Sequence, residues 1–126
     1  LRDRGLGEAL RAAANRATLP TTVEVLDEAR HDSEVEAAVY FCCLEAVQNA
    51  GKYAGPAARI DVAVGRDHDV LWFEVADDGV GFDVDAGGAG QGFVNMRDRL
   101  GALGGDLTVA SSPTSGSTVR GTIPLG

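Results

Sequence analysis

Little in this chain of 126 residues suits a membrane or a nucleic acid. The longest apolar run, residues 37–44, is far shorter than the roughly 20 residues that span a bilayer. The 11 basic residues are outnumbered by 19 acidic ones. The resulting net charge of −8 disfavours a nucleic acid or an anionic membrane as partner. No secretory signal segment is visible. We therefore expect a cytoplasmic domain that contacts neither membrane nor nucleic acid directly.

Cysteine and aromatic residues are also scarce. Cys42 and Cys43 are adjacent, so they cannot form a normal disulfide framework, and they fit a reducing compartment as buried thiols. Aromatic residues make up only 6% of the chain, so the core must be built mainly from Val, Leu, Ile and Ala. The length predicts a single domain over residues 1–126. Because the chain opens at Leu1 without methionine, we expect a fragment of a longer protein.

The apolar periodicities predict a mixed α and β fold. Helical spacing occurs over residues 6–17, 33–53 and 93–103, and strand alternation over 22–26, 60–64, 71–76, 107–110 and 118–123. Ser33 and Glu36 match a capping box at the start of the long helix. The sequence also predicts a polar hairpin turn over residues 65–69 and a glycine-rich loop over residues 82–92. The first strand is expected at a sheet edge.

The most informative stretch is Asp77-Asp78-Gly79-Val80-Gly81, directly after an apolar strand. A carboxylate at a strand end is an acceptor on a rigid element, and the glycines allow the backbone to approach a planar ligand. Asp77 is then suited to accept hydrogen bonds from an exocyclic amine such as that of adenine, whereas Asp78 has a structural role or faces solvent. A plain Asp-Gly turn explains the pentapeptide equally well when it is taken alone.

A polar stripe interrupts the otherwise apolar long helix. Glu45, Asn49 and Lys52 recur at positions i, i+4 and i+7, which places them on one side of the helix. A solvent-facing stripe is the simpler alternative, but asparagine is a poor residue for a helix interior. The groups suit a metal–phosphate ligand. Asn49 can ligate Mg²⁺, Lys52 can bind phosphate oxygens, and Glu45 can orient a metal-bound water or accept a proton.

Two further segments are candidates for the same site. Gly90-Gln91-Gly92 stands immediately before a predicted helix, where free N–H groups favour an anion. The glycines before it are what a mobile lid requires, although a flexible linker has the same composition. Ser115-Gly116-Ser117-Thr118 enters the last strand either as a plain turn or with hydroxyls beside Asp77.

Taken in order, these motifs resemble the N, G1, G2 and terminal Gly-Thr boxes of the gyrase/histidine-kinase ATPase superfamily. The resemblance is carried by Glu45-x-x-x-Asn49-x-x-Lys52, Asp77-x-Gly79-x-Gly81, Gly90-x-Gly92 and Gly116-Ser117-Thr118. It is strongest to the catalytic ATP-binding domain of bacterial sensor histidine kinases. Residues 93–100, Phe-Val-Asn-Met-Arg-Asp-Arg-Leu, with Leu103-Gly104-Gly105, resemble the subfamily that pairs with helix-turn-helix response regulators.

The resemblance implies a fold and a set of roles. The fold would be a two-layer α/β (α+β) sandwich, with a mixed, mostly antiparallel sheet of about five strands and three helices on one face. Asp77 would bind the adenine amine, Asn49 the Mg²⁺ (with Glu45 as a further candidate ligand) and Lys52 the phosphates of ATP. The remaining nucleotide-binding candidates are Tyr53, Gly79, Gly81, Gly90, Gly92, Phe93 and Thr118, the last supporting the contact of Asp77 with adenine. Tyr53 stands where the subfamily often has His, so its role stays open.

The reaction implied by the resemblance is transfer of the ATP γ-phosphoryl group to a histidine on a separate dimerisation domain. The acceptor is not His31 or His68, which lie outside a helical acceptor motif and are interpreted as surface residues. The partners would be that dimerisation domain, in a full-length homodimer, and indirectly a response regulator. Three alternatives are an anti-sigma-factor serine kinase, a gyrase-like ATPase with Glu45 as general base, and a non-enzymatic interaction module.

Overall fold

The computed structural model describes residues 5–26, 29–55, 58–79, 90–112 and 116–125, without the side chains of Tyr53, Gly90, Gln91 and Ser112. Within these ranges the chain forms three helices and five strands. The elements are α1 (Gly5–Arg16), β1 (Thr21–Val25), α2 (Ser33–Tyr53), β2 (Ile60–Asp67), β3 (Val70–Asp77), α3 (Gly90–Gly101), β4 (Asp106–Ser112) and β5 (Gly116–Pro124). None of the described helices is long and apolar enough to cross a membrane.

The five strands form one mixed sheet in the order β1-β2-β3-β5-β4. β1 pairs with β2 in parallel, and the other neighbours are antiparallel. The expected edge position of the first strand is therefore confirmed. Apolar side chains alternate along the strands: Ile60, Val62 and Val64 of β2 are at most 3% exposed, and the residues between them are half-buried or exposed. The helices cover this apolar face, which confirms the predicted two-layer sandwich.

The hairpin between β2 and β3 is tighter than predicted. The register pairs Asp67 with Val70, so only His68 and Asp69 form the turn, and His68 has a φ of 54°. The prediction of a turn over 65–69 was wrong because Gly65 continues the ladder opposite Trp72. A Cβ at position 65 would lie 2.5 Å from the Trp72 ring, so glycine here accommodates an aromatic ring on the neighbouring strand.

The long helix α2 begins differently from the predicted capping box. Asp32 is the N-cap, without a side-chain cap bond to the described residues, and Ser33 is the first helical residue. Glu36 is 2% exposed and instead accepts hydrogen bonds from the Arg30 guanidinium at 3.1 and 3.2 Å and from the His31 N–H at 3.2 Å. The predicted capping box is wrong because the Glu36 carboxylate accepts from the N–H of His31, which precedes the N-cap Asp32, and not from the N–H of Ser33. The predicted end of the helix at Tyr53 is confirmed.

Both thiols on α2 lie in the core, as expected. Cys42 and Cys43 are fully buried, and they are free cysteines. Burial raises the pKa of Cys42 to about 12, and burial likewise raises the pKa of Cys43 far above its ordinary value. Neither thiol is therefore ionised near neutral pH, and both act as small apolar side chains.

The third helix starts three residues earlier than predicted and ends at Gly101, two residues before the predicted position 103. Gly90 and Gly92 belong to the first turn of α3 and do not precede it. Beyond Gly101, the N–H of Gly104 donates to the Gly101 carbonyl at 3.0 Å and that of Gly105 donates to the Leu100 carbonyl at 2.8 Å. With Gly104 at a φ of 77°, these bonds form a Schellman motif. The glycine pair thus stops the helix, and β4 follows at once.

Candidate functional site

Asp77 is held at the last position of β3 by two hydrogen bonds. The Gly79 N–H donates to Oδ1 at 3.0 Å, and the Ser117 hydroxyl donates to Oδ2 at 2.5 Å. Ser117 lies directly opposite Asp77 in the β3–β5 register. Each carboxylate oxygen keeps a lone pair, so Asp77 can accept a further hydrogen bond from a ligand amine. The carboxylate is half-buried, which gives it an open side.

Gly79 brings the turn after β3 against the end of α2. A Cβ at position 79 would lie 2.2 Å from the Ala54 carbonyl oxygen and 2.5 Å from the Ala54 Cβ. Ala54 is the C-cap of α2 and is 3% exposed. Only glycine allows this approach, so Gly79 joins the Asp77 turn to the helix that carries the polar stripe.

The polar stripe of α2 faces the first turn of α3. Asn49 is 7% exposed, and its Nδ2 is buried without a hydrogen-bond partner among the described residues. A Cβ at Gly92 would lie 3.3 Å from Asn49 Nδ2 and 3.7 Å from Glu45 Cδ. Glu45 is half-buried and Lys52 is exposed. A buried amide without a partner is costly unless a ligand pairs it, so the stripe is not an ordinary solvent-facing one.

The start of α3 supplies a third group of donors at this place. The N–H groups of the first helical turn lack partners within the helix, and the helix dipole adds positive potential there. Gly90 and Gly92 belong to that turn, with Gly92 beside Asn49. A phosphate or another anion placed between α2 and α3 would therefore meet both backbone donors and the Asn49 amide.

Of four further candidates, the structure describes Thr118 and Phe93 but not Gly81 or the side chain of Tyr53. The hydroxyl that supports Asp77 is that of Ser117, because Thr118 pairs with Ala76 and, one position along the strand, points to the opposite face of the sheet. Phe93 is 1% exposed, so its side chain lies in the core between the helices and the sheet. Gly81 lies outside the described residues, as does the side chain of Tyr53. Both stay predictions.

We also expected surface positions for the two histidines and a structural or solvent-facing role for Asp78. His68 is exposed, as predicted, whereas His31 is half-buried beside Glu36. Asp78 is exposed and has the structural role expected for it, since its Oδ1 accepts a hydrogen bond from the Arg59 N–H at 2.7 Å. The sequence reasoning left Ser117 as one of several hydroxyls that could lie beside Asp77, because only strand register selects among them. It missed Ala54, whose role depends on helix–turn packing.

A cavity of about 150 Å³ lies at the other end of the molecule. Its lining includes Leu6, Leu10, Val64, Leu71 and Arg30. Leu71 is near the start of β3, and Asp77 is its last residue. The cavity is therefore separated from Asp77 by most of the length of the strand, and it has no part in the site.

Comparison with known proteins agrees with this geometry. The family model described as Histidine kinase-, DNA gyrase B-, and HSP90-like ATPase matches residues 34–126. The chain belongs to this ATPase family. The matched region contains the α2 stripe, Asp77 and the first turn of α3.

Individual relatives of this ATPase domain are histidine kinases. The signal transduction histidine-protein kinase/phosphatase DegS of Brevibacillus brevis is 31% identical over 97 residues, which cover 76% of this chain and 25% of that protein. The chain thus spans about a quarter of the length of this curated relative.

Solved structures share the fold of the ATPase domain. The histidine kinase domain of the Erythrobacter litoralis EL346 blue-light activated kinase has a TM-score of 0.79 at 23% identity, covering 96% of this chain and 61% of that one. The catalytic domain of histidine kinase ThkA has a TM-score of 0.74 at 16% identity, with coverages of 96% and 94%. The mycobacterial sensor histidine kinase MprB has a TM-score of 0.67 at 16% identity, with coverages of 94% and 92%.

Proposed function

We propose that this ATPase domain is the catalytic part of a sensor histidine kinase, which binds Mg-ATP and donates the γ-phosphoryl group to a histidine on a separate dimerisation domain. The observation that carries the proposal is the buried Asn49 Nδ2, which has no hydrogen-bond partner among the described residues and lies against the first turn of α3. The similarity to DegS supports the kinase assignment. In this proposal the full-length protein is a cytoplasmic or membrane-anchored homodimer that signals to a response regulator.

The residues of the site fit a nucleotide with its metal. Asp77, fixed by Gly79 and Ser117, accepts the adenine amine. Asn49 offers an amide that can present its oxygen to Mg²⁺, since the oxygen and nitrogen ends of an amide exchange by rotation. When bound, the metal neutralises phosphate charge. Lys52 adds a mobile positive charge at the exposed end of the stripe, and the N–H groups of the α3 turn bind phosphate oxygens.

Catalysis by these residues is chiefly positioning. Fixed donors around the phosphates hold the γ-phosphoryl group for an incoming acceptor and stabilise the charge of the transition state. Glu45 lies beside Asn49 and Gly92, so it can orient a water or accept a proton near the phosphates. This position also suits hydrolysis, which is the second candidate function. Glu45→Gln should lower slow ATP hydrolysis if Glu45 is a general base, and unchanged hydrolysis would exclude that role.

Nucleotide binding tests the proposal. We expect ADP with Mg²⁺ to raise Tm, because a ligand at about 100 times its Kd stabilises the folded state by about 2.7 kcal/mol. Asp77→Ala should abolish this shift, and Asn49→Ala should weaken Mg²⁺-dependent more than Mg²⁺-independent binding. Asp67→Ala, which removes an exposed carboxylate at the far end of the hairpin, is the matched control. No shift for the wild type at millimolar nucleotide would refute the proposal.

Phosphoryl transfer needs a separate test. The chain should label the dimerisation domain of its parent protein with radioactive phosphate from γ-labelled ATP, and the product should be acid-labile and base-stable, as a phosphohistidine is. An acid-stable product on serine would favour the anti-sigma-factor kinase alternative. Nucleotide binding without transfer to any acceptor domain would leave hydrolysis as the function.

A further inference from the structure

The carboxylate of Asp78 takes the place of a main-chain carbonyl at the end of the β2–β3 ladder. The last pair of that ladder is Ile60 with Asp77. One position further, the Asp78 N–H donates to the Arg59 carbonyl at 3.3 Å. In a continued antiparallel ladder the Arg59 N–H would donate back to the Asp78 carbonyl. It donates instead to the Asp78 side chain, at 2.7 Å from Oδ1.

Because the Asp78 side chain accepts in place of its carbonyl, the strand ends here while the Arg59 N–H stays paired. The pair with Arg59 is kept through a side chain, so the main chain of Asp78 is free to turn out of the sheet. Gly79 then reaches the Ala54 carbonyl and donates its N–H to Asp77 Oδ1 at 3.0 Å. The turn that orients Asp77 therefore begins at the residue that Arg59 anchors.

The anchor also connects the two halves of the site. Arg59 follows Ala58, whose N–H donates to the Gly55 carbonyl at 3.3 Å, directly after the C-cap of α2 at Ala54. The segment that leaves α2 is thus bonded on one side to the helix end and on the other to Asp78. Asp78 links the end of the helix that carries Asn49 to the end of the strand that carries Asp77.

We propose that Asp78 is a positioning residue for nucleotide binding, acting through its hydrogen bond to the Arg59 N–H and not through its charge. The inference rests on the proposed function, in which Asp77 accepts the adenine amine. Asp78 is itself exposed and is directed at Arg59, so it acts through the orientation of its neighbour. The charge of an exposed carboxylate would by itself oppose the binding of an anionic nucleotide, so a favourable contribution of Asp78 must come from its hydrogen bond.

Two substitutions separate the hydrogen bond from the charge. Asp78→Ala removes both, and Asp78→Asn keeps an oxygen acceptor in the same place but removes the charge. We expect Asp78→Ala to weaken ADP binding about five- to tenfold, which is the scale of one hydrogen bond. Asp78→Asn should bind at least as tightly as the wild type. Asp67→Ala, another exposed carboxylate of the same hairpin, should leave affinity unchanged.

Base selectivity and amide exchange make the test specific. Guanine presents a carbonyl where adenine presents its amine, so a displaced Asp77 should lower the preference for ADP over GDP in Asp78→Ala and not in Asp78→Asn. In the nucleotide-free protein, the Arg59 amide should exchange with solvent faster in Asp78→Ala than in the wild type or Asp78→Asn, as measured by NMR.

Each contrary result is decisive. Equal affinities for all three proteins, or equal losses in both variants, would overturn the positioning role, because the hydrogen bond would then contribute nothing that the charge does not. If Asp78→Ala fails to fold, the positioning role is also overturned, because Asp78 would then be required for the stability of the whole domain. A wild type that binds no nucleotide would instead refute the proposed function, while Arg59 exchange would still report whether the anchor exists.

Discussion

Replacing Gly79 by alanine tests the packing that joins the two halves of the site. The new Cβ would lie 2.2 Å from the Ala54 carbonyl oxygen and 2.7 Å from the carbonyl carbon, so main-chain atoms must move apart. Overpacking of this kind costs about 1–3 kcal/mol. For a domain of this size each kcal/mol lowers Tm by about 3–6 °C, so a central cost of about 2 kcal/mol predicts a fall of about 6–12 °C.

The same substitution should weaken nucleotide binding beyond its effect on stability. Displacing residue 79 lengthens the hydrogen bond from its N–H to Asp77 Oδ1, which now measures 3.0 Å. Calorimetric titration with ADP, at a temperature where the variant is fully folded, should therefore show a several-fold higher Kd. Because the Asp77 carboxylate also keeps its bond from Ser117, the loss should be smaller than that of Asp77→Ala.

Gly101→Ala is the matched control. Nothing lies within 4 Å of a Cβ at this exposed last residue of α3. Alanine should therefore leave stability unchanged or raise it by about 0.5 kcal/mol, since it has the higher helix propensity. The reasoning is refuted if Gly79→Ala melts within 1 °C (about 0.3 kcal/mol) of the wild type and binds ADP equally well. A similar fall of Tm in Gly79→Ala and Gly101→Ala would show that replacing any glycine has this effect, whatever its packing.

Three further outcomes follow from the hydrogen bonds and burial described above. Ser117→Ala should weaken ADP binding about tenfold in calorimetric titrations, whereas Thr118→Ala should not; equal effects would contradict the register. For Glu36, burial raises the pKa but the bonds from its partners outweigh this and lower it below 4.5. The ionised Glu36 therefore stabilises the fold fully above pH 4.5, and this stabilisation is lost as the pH falls through the pKa of the folded state. In Glu36→Gln the free energy of unfolding, measured with urea, should depend less on pH between about pH 6 and about pH 3 than in the wild type. Cys42 and Cys43 should resist a thiol reagent until the chain unfolds, and stability should fall as the pH rises from 9.0 towards the raised pKa values; rapid labelling of the native protein would contradict their burial.

Much of the fold could be predicted because the local signals agree with the tertiary structure. α2 ends at Tyr53 as expected, since Gly55-Pro56 cannot continue a helix. The Gly104-Gly105 pair likewise marks the end of the third helix. Strand alternation identified the inward faces, because the described helices all cover one side of the sheet.

The predictions that failed have a common physical cause: each of these residues takes its place from contacts with a neighbouring element, which the local sequence does not show. Gly65 belongs to a strand because Trp72 on the next strand lies against it. Glu36 bonds to Arg30 and His31 before the helix, and no spacing rule within the helix shows this. Ser117, and not Thr118, faces Asp77 because strand register selects one face, and adjacent hydroxyls in the sequence cannot reveal which.

The placement of Trp72 has an optical consequence. It is the only tryptophan of the chain, and it stands on the sheet face away from the helices, with the Arg120 guanidinium 4.9 Å from its ring centroid and Glu74 bonded to that guanidinium at 3.3 Å. A nucleotide between α2 and α3 would be separated from the indole by the sheet itself. The intrinsic fluorescence of this domain therefore reports on the sheet face away from the described helices. A change in emission on docking of the dimerisation domain proposed above would locate the contact on this face.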